Sequence, residues 1–160
     1  MIQVFLGLGS NLGDGARTLR SAFSELSSCL AEARMSRLYG SKAMYDADQP
    51  DFVNAAVSGL SGLSPLELLD AVHEVEERFR RVRDPRRPKG PRTLDVDILL
   101  YGDMVVSEPK LAIPHAGLRE RRFALEPLLE LEPGLVDPAS GESYSAILQK
   151  LPPQGIYLLE

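Results

Sequence analysis

A chain of 160 residues, 44% of them hydrophobic, is long enough for one domain with a substantial core, expected here to span residues 1–160. Its 18 Lys and Arg against 23 Asp and Glu give a formal net charge of −5, which disfavours non-specific nucleic-acid binding. The single cysteine, Cys29, excludes an internal disulfide and a thiolate metal cluster. No apolar run suits a secretory signal or a membrane span, so a cytoplasmic protein without a membrane partner is expected. A monomer without a nucleic-acid partner is expected as well.

Ile2, Val4, Leu6 and Leu8 alternate as a first strand that ends at Gly7-Leu8-Gly9. Ser10, Asn11, Asp14 and Gly15 supply turn and cap chemistry. Leu19, Ala22, Phe23, Leu26, Cys29 and Leu30 then recur at helical spacing. A second strand is expected over Arg34–Tyr39 and a long loop over Gly40–Asp51. Phe52–Leu60 reads as a third strand with Val53, Ala55 and Val57 on one face. Ser64-Pro65-Leu66-Glu67 is a helix start, with Leu68, Leu69, Val72, Val75 and Phe79 as its buried stripe. Pro85, Pro88 and Pro91 break all periodicity before the strand that begins near Leu94. Gly102-Asp103 predicts a hairpin into Met104–Val106, and helices are expected over Phe123–Leu131 and Ser143–Leu151. The order β-α-β-β-α-β with a C-terminal extension predicts an α+β, ferredoxin-like fold, with helices on one face of an antiparallel sheet.

Within "GPRTLDVDILLYG", Leu94, Val96, Ile98 and Leu100 alternate with Asp95, Asp97 and Leu99. Residues two apart on a strand share a face, about 6.6–6.8 Å from each other. Two carboxylates so placed repel and need a positive partner. The preceding segment, RRVRDPRRPKGPR, carries seven cations, Arg80, Arg81, Arg83, Arg86, Arg87, Lys89 and Arg92, against Asp84 alone. A charge run is ordinarily a solvated loop, and a structural Arg92–Asp95 salt bridge is one explanation of the pair. The pattern favours another: the aspartates hold Mg²⁺ and the cations hold the oxygens of a metal-bound polyphosphate. Two carboxylates can serve two metals about 3.5–4 Å apart.

Other motifs are weaker. GLGSNLGD lacks the third glycine and the Gly-Lys-Ser/Thr of phosphate loops, so it reads as a capped strand-to-helix turn, with Asn11 in a supporting hydrogen-bonding role. His73 reads as a surface residue; His115, in Ile113-Pro114-His115, is a candidate phosphate contact. Phe52 and Phe123 would ordinarily be core aromatics. Asn54, inside a strand, needs partners for its amide, which could read the edge of a heterocycle. An RNA-binding module of the same element order would need an aromatic pattern that DFVNAAVSG lacks. A small phosphatase would need a cation in the first loop, and GLGSNLGD has none.

Four segments together, "GSNLGD" at 9–14, "DQPDFVNAAV" at 48–57, "GPRTLDVDILLYG" at 90–102 and "LAIPHAGLRERRFALEPLLELEP" at 111–133, resemble the 6-hydroxymethyl-7,8-dihydropterin pyrophosphokinases of folate biosynthesis, in order and spacing. The family's ferredoxin-like fold agrees with the element order. The resemblance implies transfer of pyrophosphate from ATP to the pterin hydroxymethyl group, leaving AMP. It implies that Asp95 and Asp97 bind two Mg²⁺ ions. Phe52 and Phe123 would stack on the pterin, and Asn54 and backbone groups of Ser41, Ala43 and Met44 would bond it. Arg81 and Arg92 would grip the migrating phosphates, with Arg83 at the mouth. Lys110, His115 and Arg121 would contact the ATP phosphates, Ile98 and Leu111 the adenine, and Glu76 would lie near the nucleotide. Arg119 and Arg122 fall outside this set. The chain departs from the family at Lys89, where tryptophan is frequent, and at Lys110, where arginine is common and bidentate geometry is lost.

Overall fold

The computed structural model describes residues 1–43, 48–79, 86 and 93–160. Its first unit is β1 (Ile2–Ser10) followed by α1 (Gly15–Leu26), capped where the Asp14 carboxylate accepts from Arg17 N at 3.1 Å. Next come β2 (Ala31–Met35), β3 (Tyr39–Ser41) and β4 (Phe52–Ser61). The α2 helix (Pro65–Arg78) opens with the expected capping box: Glu67 N donates to Ser64 Oγ, and Ser64 N to Glu67 Oε1. β5 (Asp95–Tyr101), β6 (Val106–Glu108), β7 (Leu111–Ile113), α3 (Arg122–Leu131), α4 (Tyr144–Lys150) and β8 (Ile156–Leu158) complete the chain. The main sheet is antiparallel in the order β5-β1-β4-β3-β8, with β2 also pairing β4. This is the ferredoxin-like arrangement the sequence predicts.

Three expectations change. The strand expected over Arg34–Tyr39 is two strands, β2 and β3. Ser36 interrupts them: its backbone N donates to Ala56 O and its hydroxyl accepts from Ala56 N, each at 2.9 Å, so a side chain replaces one ladder group. The Gly102-Asp103 turn forms, with Gly102 at φ 54, but it does not return a strand to β5. Met104 and Val105 are exposed, and β6 pairs β7 instead. The outer edge of β5 is already covered, because Glu76 Oε2 accepts from Val96 N at 2.8 Å and Leu99 O accepts from His115 N at 3.0 Å.

The third change concerns the layers. Val4, Leu6, Leu8, Ala55, Val57, Val96 and Ile98 pack on Leu19, Leu26, Leu68, Val72 and Val75, as the periodicity of α1 and α2 requires. The opposite face carries helices too: Phe5, Ala56, Leu99 and Leu100 pack on Leu125 and Leu128 of α3 and on Tyr144 and Ile147 of α4. A bulge makes this possible. Phe5 pairs Leu100 while Leu6 pairs Ile98, so Leu99 is an extra residue, and the expected alternation ends there. Leu99 and Leu100 consequently join one core and Tyr101 the other.

Candidate functional site

The second face of the sheet is divided. Its Phe5–Ala56–Leu99 half is roofed by α3 and α4, and its other half is open. In the open half, register places Asp95 opposite Gly9 and Asp97 opposite Gly7. Gly9 in turn pairs Asn54, which pairs Tyr39, while Phe52 pairs Ser41. Partners opposite one another share a sheet face. Asp95, Asp97, Asn54 and Phe52 therefore point to the same side, as the strand patterns predict. The two glycines between them present no side chain. A Cβ on Gly7 would touch Leu99 at 3.4 Å, and one on Gly9 would touch Asn54 Oδ1 at 3.4 Å. The floor is thus main chain, with a carboxylate pair on one side and an amide and an aromatic ring on the other.

A cleft of about 420 Å³ stands on this floor. Of the described candidates, Ser41, Phe52, Asn54, Glu76, Asp95, Asp97, Ile98, Lys110, Leu111, His115, Arg121 and Phe123 all line it. Ala43, just past Lys42, is not in the wall. Met44, Arg81, Arg83, Lys89 and Arg92 lie outside the described residues.

The walls are held by specific bonds. Buried Asn54 donates from Nδ2 to Ser41 Oγ at 2.7 Å, which orients its amide across Gly9. Glu76, a buried carboxylate on α2, caps the β5 edge beside Asp95 and Asp97. His115 Nδ1 accepts from Gly117 N at 3.1 Å, so the ring proton sits on Nε2, which faces Asp97 Oδ1 at 3.6 Å. The Arg121 guanidinium lies 5.7 Å from the centroid of the Phe123 ring, within cation–π range.

Several wall residues carried no sequence signal. Lys42, Gln49 and Leu69 line the cleft, and exposed His73 stands at its α2 side. Asn11 supports Gln49, donating to its Oε1 at 2.7 Å and to Pro50 O at 3.1 Å. A polar residue within a glycine-rich turn, facing a stretch 38 residues on, was the only available hint. Arg119 and Arg122, outside the expected set, are engaged elsewhere. Arg119 bonds Asp137 and Glu142, and Arg122 bonds the carbonyls of Leu151 and Pro152.

The donor set suits a hard divalent cation. Among the described residues no group of three or more His, Cys, Asp or Glu side chains converges as a metal centre. Asp95 and Asp97 supply carboxylate oxygens over an open main-chain floor. Magnesium is ordinarily held by one or two carboxylates and completed by substrate phosphates and water. The cations Lys110 and Arg121 in the same cleft fit such a phosphate.

The model of the 7,8-dihydro-6-hydroxymethylpterin-pyrophosphokinase (HPPK) family matches residues 5–133. A 2-amino-4-hydroxy-6-hydroxymethyldihydropteridine pyrophosphokinase from Methylorubrum extorquens is 40% identical over 162 residues, 100% of each chain. Its namesake from Pseudomonas aeruginosa is 41% identical over 160 residues, 98% of this chain and 96% of its own. The folic acid synthesis protein fol1 of Schizosaccharomyces pombe is 40% identical over 156 residues, 96% of this chain; the chain spans only 21% of that relative. A wild-type Plasmodium falciparum HPPK-DHPS crystal structure superposes with a TM-score of 0.72 at 14% identity, over 93% of this chain and 44% of that one, a likeness of fold alone. No helix among the described residues is long and apolar enough to cross a membrane. The family match over most of the chain, and whole-chain identity to two curated pyrophosphokinases, establish that the chain belongs to the 7,8-dihydro-6-hydroxymethylpterin-pyrophosphokinase family.

Proposed function

We propose that residues 1–160 form a single, monomeric, cytoplasmic pyrophosphokinase domain. It transfers the β,γ-pyrophosphoryl group of ATP to the hydroxymethyl oxygen of 6-hydroxymethyl-7,8-dihydropterin. The alcohol oxygen bonds to the β-phosphorus as the bond to the α-phosphate bridge breaks, the alcohol proton passes to solvent, and AMP leaves. The observation that carries this reading is the floor itself: Asp95 and Asp97 share one sheet face with Asn54 and Phe52, separated only by Gly7 and Gly9.

In this reading Asp95 and Asp97 hold two Mg²⁺ ions. Bound there, such ions would neutralise phosphate charge and would lower the pKa of the attacking alcohol. The chain's own residues position the reactants. Phe52 and Phe123 sandwich the pterin ring, and the Asn54 amide, preset by Ser41, bonds its edge. Ser41, which lines the cleft, completes the pterin contacts through its backbone, and by the family resemblance Met44 would join it; Ala43, outside the wall, has no support from the cleft. Lys110, His115 and Arg121 bind nucleotide phosphates, and Ile98 and Leu111 flank the adenine beside Glu76. By the family resemblance, Arg81 and Arg92 would hold the migrating group and Arg83 would assist them. Phosphoryl-type transfer gains most from this kind of positioning and charge stabilisation.

The test is formation of AMP and the pterin diphosphate from ATP and the dihydropterin, in wild type and Asp97→Ala. The variant is expected to lose turnover and Mg²⁺-nucleotide binding, with Tm equal to wild type or higher, because one of two like charges is gone. Turnover at the wild-type level in Asp97→Ala would remove the metal assignment. Absence of the diphosphate product in wild type would remove the reaction.

A further inference from the structure

The excursion from β3 to β4 leaves the sheet at Ser41 and returns at Phe52. Both legs border the cleft, through Ser41 and Lys42 on the way out and Gln49 and Phe52 on the way back. The returning leg is held from one side by Asn11, which bonds Gln49 and Pro50 O. A second tie comes from the far end of the chain. β8 pairs β3, with Tyr157 opposite Gly40. The Tyr157 ring packs on Gly40 so closely that a Cβ there would fall 2.3 Å from ring atoms. Its hydroxyl crosses to the other leg and donates to Asp51 Oδ2 at 2.7 Å, where Lys42 Nζ also approaches at 3.3 Å. That hydroxyl holds the Asp51 carboxyl below the ordinary carboxylate range. Asp51 immediately precedes Phe52, and Tyr157 lies beyond the 5–133 stretch that the family model matches.

We propose that Tyr157 is a positioning residue for the dihydropterin: it joins β3 at Gly40 to the returning leg at Asp51 and sets Phe52 and Gln49 in place before substrate arrives. The inference rests on the pterin reading of the Phe52–Asn54 face. A wall ordered in advance is not ordered at the expense of binding, so the benefit falls on pterin affinity and not on the chemical step.

Tyr157→Phe keeps the ring and the β8 pairing and removes only the hydroxyl. Its KM for the dihydropterin, and its calorimetric Kd with Mg²⁺ and a non-hydrolysable ATP analogue, should rise about three- to tenfold, the effect of one partly exposed charge-assisted hydrogen bond. The KM for ATP and kcat should stay within about twofold, since neither involves this leg. Asp51→Ala should reproduce the effect, and the double variant should be no worse than either single one. Gly40→Ala, which displaces the ring, should show the same split. A lowered Tm with unchanged pterin KM in Tyr157→Phe would assign the tyrosine to the sheet edge alone and overturn the proposal. Equal losses for pterin and ATP, or additive effects in the double variant, would overturn it as well. Wild-type protein that binds the nucleotide analogue but no dihydropterin would instead refute the parent function, and this inference with it.

Discussion

The open face around Asp95 and Asp97 is owed to residues that have no side chain. Alternation in the sequence places both carboxylates on one face, but only the pairing of Gly9 with Asp95 and Gly7 with Asp97 keeps that face open. Gly117 works in a similar way. Its N–H fixes the His115 ring, and a Cβ on it would lie 2.5 Å from Cζ and Nε of Arg121. Gly117→Ala must therefore push the guanidinium off its seat. The far end of an arginine moves cheaply, so Tm should hardly change, whereas affinity for an ATP analogue should fall roughly three- to tenfold through the misplaced charge. Calorimetry beside a thermal melt measures both, and unaltered nucleotide affinity would show that the seat is immaterial. The aspartates and Asn54 were legible from sequence because a charged or amide side chain in a strand violates its surroundings. Gly117 was not, because a glycine without a positive φ leaves no local signature, and its contact exists only once Arg121 has folded back.

At the level of elements, the Glu130 carboxylate fastens α3 to the β2–β3 segment. Glu130 accepts from the Tyr39 hydroxyl in a short hydrogen bond, from Arg37 N at 2.9 Å and from Arg37 Nε at 3.1 Å. Burial alone would raise Glu130, but the Tyr39 hydroxyl and the Arg37 donors outweigh it and hold the carboxyl below its ordinary value. Burial, reinforced by the Glu130 carboxylate, pushes the Tyr39 phenol up to about 12. The signs are opposite. The depressed Glu130 contributes stability above its unfolded pKa and loses it as pH falls through the folded value. The raised Tyr39 contributes below its unfolded pKa and loses it as pH climbs towards about 12. Tm should hold a plateau from roughly pH 5 to pH 10 and fall on either side. Glu130→Gln should make the acid limb shallower and Tyr39→Phe the alkaline one, neither abolishing it, because Asp137 and Glu142 are lowered and Tyr144 is raised as well. Limbs unchanged in both variants would dissociate this fastening from the pH response. The sequence predicted a strand here and missed the break, since the Ser36 hydroxyl that replaces a ladder group is indistinguishable in sequence from a solvent-facing serine.

For the whole molecule, the C-terminal segment closes the second of the two cores. Residues 134–160 lie beyond the family match, yet Tyr144 and Ile147 are buried against Leu118, Leu125 and Leu128. Arg119 and Arg122 clasp the segment through Asp137, Glu142 and the carbonyls of Leu151 and Pro152. Deleting residues 134–160 should expose that apolar face and give a protein that binds a hydrophobic dye and melts without a cooperative transition. A cooperative melt within about 5 °C of the full chain, less than the loss of two buried large side chains implies, would contradict this. The element order and both late helices were readable from periodicity. Their destination was not, because the second face is mixed: apolar at Phe5, Ala56 and Leu99, polar or bare at Asn54, Gly7 and Gly9. Read strand by strand, such a face looks like the solvent side of a one-faced sheet. The bulge at Leu99, which turns two consecutive leucines into it, appears only when β5 is paired with β1.

The main-chain floor also bears on inhibitor resistance. Escape from a competitive inhibitor usually proceeds by exchanging a side chain that the drug touches more than the substrate does. At Gly7 and Gly9 there is no side chain to exchange, and any replacement adds atoms to the space between the aspartates and Asn54. A compound resting on these two residues would leave the target few changes that exclude the drug without also excluding its own reactants.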